Sequence, residues 1–135
     1  MSADIHIDEF NRDTAVALIR LYNNFPNPMA LYVDDITRVD DADEYGVISE
    51  RHQRCIGALL WLAEEKIIRY RDTIGFDGIE QAVLSLQALH ALHSKPETGV
   101  AISIIDEIRD AMREKSSESL KRVMQQFYAR FLNRL

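Results

Sequence analysis

Apolar positions recur every three or four residues over most of this chain, with extended runs between the helical stretches. Ala15, Leu18, Ile19 and Tyr22 fall at i, i+3, i+4 and i+7, one face of a helix. Asp13 is the N-cap this predicts, and Asn24-Phe25-Pro26-Asn27-Pro28 the stop. Met29 to Ile36 reads as extended, with Leu31 and Val33 on one face. The stretch 34–46 is polar and predicts a loop with at most one helical turn. The clearest helix runs from Ser49 to Glu65, where Ile56, Leu59, Leu60, Ala63 and Ile67 form the stripe. Two extended runs, 67–72 and 79–84, flank the turn Gly75-Phe76-Asp77-Gly78, and a short helix capped by Ser85 follows to His93.

Two longer helices complete the pattern. Ser94-Lys95-Pro96-Glu97 matches a capping box with proline in the first turn. Val100, Ile104, Ile105, Ile108 and Met112 give that helix its apolar face, to about Glu114. Ser116 and Ser117 mark a break. Leu120, Val123, Met124, Phe127 and Phe131 form the stripe of a last helix from Glu118 to Asn133. Two helices joined by so short a break predict an antiparallel hairpin.

The order helix, strand, tight turn, strand, helix between Arg51 and His93 resembles the winged helix-turn-helix family. Ala58 to Tyr70 looks like the end of its recognition helix entering the wing, and Ala82 to Leu89 like the return strand entering the next helix. The resemblance covers residues 13–93. It departs from the family at Lys66, where a glycine is common and positive φ is needed. It also departs in the segment after the first strand, which is poor in core residues. The implied fold is mainly α: a winged core with a small β-wing, and residues 94–135 as an added helical hairpin, together one domain of 1–135.

The resemblance also implies a DNA-binding regulator. Arg51, His52, Gln53 and Arg54 would enter the major groove, with Arg suited to guanine and Gln to adenine. Arg69 and Arg71 on the wing would meet the phosphate backbone. Many such proteins dimerise through added helices, and Ile104, Ile105, Ile108, Phe127 and Phe131 are the candidate homodimer surface here.

Charge weakens the DNA reading. The net charge is −6, yet residues 1–50 carry −8 and the two later segments, 51–95 and 96–135, carry +1 each. The wing turn holds Asp77, not Lys or Arg, and Glu50 and Asp72 flank the basic groups. DNA-reading surfaces concentrate positive charge. The alternative is therefore a non-enzymatic protein-interaction module on the same fold, with the acidic segment 34–44 meeting a basic partner.

Little else carries chemistry. Asp41, Asp43 and Gly46 resemble the start of a calcium loop, but the twelfth position is His52 where a bidentate Glu belongs. His90-x-x-His93 with Cys55 lacks a fourth metal ligand. Cys55 sits beside Ile56 on the core side of its helix and predicts a buried, inert thiol. No phosphate-cradling glycine loop and no nucleophile–base pairing occurs, so no enzyme, cofactor or metal is expected. No apolar run approaches the roughly 20 residues of a membrane span. The first residues lack the pattern of a signal peptide and there is one cysteine, which together point to the cytoplasm.

Overall fold

The computed structural model describes residues 4–38, 49–96 and 101–133. Its elements run α1 (Ile5–Asn24), β1 (Met29–Tyr32), α2 (Val33–Thr37), α3 (Glu50–Glu64), β2 (Ile68–Arg69), β3 (Asp72–Ile74), β4 (Gly78–Leu84), α4 (Leu86–His93), α5 (Ile104–Glu114) and α6 (Ser117–Leu132). The architecture is mainly helical with a small antiparallel sheet.

β4 is the central strand. β1 pairs with one edge, and β2 and β3 pair in turn with the other. Gln81 interrupts both ladders. It takes φ +54, the left-handed region. Opposite it, β2 gives way to β3, and the β1 register shifts between Met29 and Leu31 as at a bulge. Gly78 is dictated by close approach, because a Cβ there would stand 2.2 Å from the Leu31 carbonyl oxygen. The turn into β4 closes with Asp77 N–H donating to the Ile74 carbonyl at 2.9 Å.

α3 matches its sequence expectation closely, with Ser49 Oγ accepting from the His52 N–H at 3.1 Å. Lys66 does take positive φ, +65, at the exit from α3. Ser85 caps α4 through the Ala88 N–H, and Ser116 caps α6 through the Ser119 N–H, both at 3.1 Å.

Three boundaries differ from expectation. α1 starts at Ile5, not at Asp13. Phe10 packs edge-on against Trp61 with ring centroids 5.1 Å apart, and this tertiary contact extends the helix N-terminally. The run 29–36 is strand only to Tyr32. Val33, Ile36 and Thr37 then bury one side of the short helix α2. The helix expected from Ser94 begins at Ile104, capped by Ser103. Ser94 instead ends α4, its N–H bonded to the His90 and Ala91 carbonyls and its hydroxyl donating to Ala91 at 2.7 Å. Glu97 and Val100, assigned to that helix, lie outside the described residues, as do residues 39–48.

α1 is the hub, packed against α2, α3, α5, α6 and two strands. One cluster of buried side chains joins it to the sheet and to the C-terminal hairpin. Ile104, Ile105, Ile108 and Phe127 are each at most 2% exposed, and Phe131 is 7%. The homodimer surface expected at these five residues is thereby corrected: α1 and α4 already cover it within one chain. Among the described residues, no helix is long and apolar enough to cross a membrane.

Candidate nucleic-acid interface

Arg51, His52, Gln53 and Arg54 lie at the start of α3. Arg51 runs back to α1 and grips Asp13 with both terminal nitrogens, each bond 2.6 Å, while its Nε lies 3.2 Å from Glu9. Asp13 is 1% exposed. A planar guanidinium presents two parallel donors to a carboxylate, the strongest ion-pair geometry proteins use. The Asp13 hydrogen bonds hold the Arg51 pKa above its ordinary value, against partial burial.

Arg54 donates from Nε to Glu9 at 2.8 Å and stands 3.6 Å from Glu50. His52 is buried, its Nε2–H donating to the Phe76 carbonyl at 2.7 Å, so it fastens the turn between β3 and β4 to α3. Its Nδ1 lies 3.8 Å from Asp34. Asp77 extends this fastening by accepting from the Val33 N–H at 2.8 Å. Gln53, Arg69 and Arg71 are exposed, the last two on the β2 side of the wing.

Two of the cations expected to meet DNA are therefore neutralised by α1, and the histidine is a structural tie. Exposed acidic side chains lie near them: Glu50, 3.6 Å from Arg54, and Asp34, 3.8 Å from His52. The β3–β4 turn presents Phe76, 71% exposed, and beside it Tyr32, which pairs with Gly78. Of the acidic segment 34–44, Asp34 and Asp35 form the first turn of α2, and Asp40, Asp41, Asp43 and Glu44 lie outside the described residues.

The sequence reading missed the acidic partner of this cluster. The signal was present: Glu9 and Asp13 are one helical turn apart, and so are Arg51 and Arg54. Taking Asp13 for an N-cap removed it from the helix interior and hid the match.

The remaining candidates resolve simply. Among the described residues, no three His, Cys, Asp or Glu side chains group as a metal site. His93 Nε2 pairs with the Tyr22 hydroxyl at 2.8 Å, and His90 is exposed. His52, the last position of the calcium-loop pattern, is committed to Phe76. Cys55 is fully buried; burial first, and the nearby Asp13 charge second, push its thiol up to about 12. Comparison with family models, curated proteins and solved structures finds no match to this chain.

Proposed function

We propose that this chain is a winged-helix protein that works as a non-enzymatic interaction module, docking a basic protein partner. The winged-helix reading is supported by the element order and by β4 lying between β1 and the wing strands β2 and β3. The observation that carries the functional reading is the internal use of Arg51, His52 and Arg54. A recognition helix whose first-turn cations are bound to Glu9 and Asp13 offers a DNA groove little positive charge. The same face carries acidic side chains and an exposed aromatic tip, the surface a cationic protein complements.

The second reading is a DNA-binding transcriptional regulator. It is favoured by Arg69 and Arg71, which are exposed on the wing and make no ion pair among the described residues. Fluorescence anisotropy with a labelled mixed-sequence duplex pool separates the two. The interaction module gives no saturable DNA binding even at low salt. Binding whose log K falls linearly with log salt, and which weakens in Arg69→Ala with Arg71→Ala, would replace it with the regulator. In the positive arm, an arginine-rich polypeptide binds the chain in a salt-sensitive way, and Asp34→Lys with Asp35→Lys weakens that binding.

A further inference from the structure

Away from the α3 face, a groove of about 520 Å³ opens between the start of α1 and the α5–α6 turn. That volume falls in the range of small-molecule sites. Its lining combines features that the fold itself leaves unused.

Asn11 lines the groove and is 8% exposed. Its backbone carbonyl is used by Thr14, but its side-chain amide makes no hydrogen bond among the described residues. Its amide atoms are not sealed in either: the buried side-chain polar atoms without a partner are Tyr128 Oη and Arg130 Nε. An amide carries two donors and an acceptor, and those of Asn11 are left for a group outside the fold. Asn11 lines the groove, so a group bound there can pair with its amide.

The charged lining is also unspent. Asp8 and Lys115 both line the groove, and neither forms an ion pair among the described residues. Lys115 adjoins the N-terminus of α6, a 16-residue helix whose Ser117 belongs to the same lining. Ser116 takes the Ser119 N–H there, and the remaining first-turn N–H groups favour an anion. Glu9 reaches the groove too, but it is held by Arg51 and Arg54. Met112 and Leu120 supply the apolar wall.

We propose that this groove binds a short zwitterionic peptide. The carboxylate sits at Lys115 and the first turn of α6. The peptide unit, with one donor and one acceptor, matches the amide of Asn11. The ammonium end meets Asp8, and an apolar side chain lies along Met112 and Leu120. A simple anion leaves Asp8 repelled, and a simple cation leaves Lys115 and the helix end unmatched. Only a ligand of both charges, with an amide between them, uses every unpaired group.

Titrating alanyl-leucine into the isotope-labelled chain, followed by amide nuclear magnetic resonance, tests this. Saturable shifts are expected in residues 8–12 and 111–120. Lys115→Glu and Asn11→Leu should each weaken binding about tenfold or more. The thermal midpoint of Asn11→Leu should hold or rise, because no hydrogen bond of the fold is lost. Absence of saturable shifts into the millimolar range overturns the proposal. So does equal binding of the dipeptide blocked at both ends, or a lowered midpoint in Asn11→Leu, which would make that amide structural.

Discussion

A charged residue near a surface can serve a partner or serve the fold, and Arg51 decides between them through Asp13. The carboxylate of Asp13 is 1% exposed and takes both guanidinium bonds, so removing Arg51 leaves a buried charge with only Arg12, 3.6 Å away, to balance it. Breaking one side of such a pair costs about 3–5 kcal/mol. Arg51→Ala is therefore expected to lower stability by about 3 kcal/mol in urea unfolding. Arg51→Met with Asp13→Leu should recover much of that, because neither charge is then left alone; no recovery would show that Arg51 acts through something other than Asp13. Arg51→Ala is consequently a poor probe of DNA contact. Two further residues report through pH. Burial raises Cys55 and Tyr128 to about 12 each. Both are neutral when protonated, and the unfolded chain ionises them from their ordinary values of 9.0 and 10.0 upward. The stability they contribute is thus complete below about pH 9 and lost progressively as pH rises towards 12, because the unfolded chain then releases protons that the fold retains. Urea midpoints should fall between neutral pH and pH 10.5, at a slope of up to about 1.4 kcal/mol per pH unit for each group. A Cys55→Ala variant should fall less steeply from its own, lower starting value.

Local signals placed the elements well where local forces form them. The β3–β4 hairpin was legible because β-branched runs, Gly75 and Gly78 define it within a dozen residues, and α3 because its stripe and Ser49 cap agree. Boundaries failed where a cap signature had no tertiary support. Asp13 and Ser94-Lys95-Pro96-Glu97 each look like a helix start, yet Phe10 on Trp61 carries α1 past the first, and Ser94 closes α4 at the second. The candidate site was legible to the same extent. Its residues fell on the expected turn, but their direction depends on α1, some forty residues away in sequence, which no local pattern encodes. Gln81 shows the limit most sharply, since nothing around it announces a left-handed residue in the central strand. That conformation costs a residue with a Cβ about 1–2 kcal/mol, partly balanced by the entropy glycine loses on folding. Gln81→Gly should accordingly stabilise the chain by about 0.5–1 kcal/mol, and Gln81→Val, stiffer at the Cβ, should destabilise it. Equal stability of the two variants would mean that the bulge relaxes away without a positive φ.

At the scale of the whole molecule, the C-terminal hairpin shares one buried cluster with the rest. Ile104 N–H donates to the Ser94 carbonyl at 2.8 Å, Arg130 donates to Lys95 at 2.8 Å, and Gln87 donates to the Phe131 carbonyl. α6 packs on α1 and α4, and its Tyr128 meets Trp61 edge-on at 5.9 Å. Trp61, the single tryptophan, is thus a reporter at the junction of α1, α3 and α6. If the hairpin shares one core with the sheet, loss of helix and loss of the Trp61 environment must coincide, because no part can leave without exposing the rest. Urea unfolding followed by circular dichroism and by tryptophan fluorescence should give superimposable transitions. Ile105→Glu puts a charge at a 2% exposed position within that core and should lower both midpoints together, by about 3–5 kcal/mol of stability. Were α5 and α6 instead an appended unit held by a partner copy, Ile105→Glu would leave the fluorescence transition in place while circular dichroism lost an early step. Sedimentation of the parent chain would then show a dimer that the variant lacks.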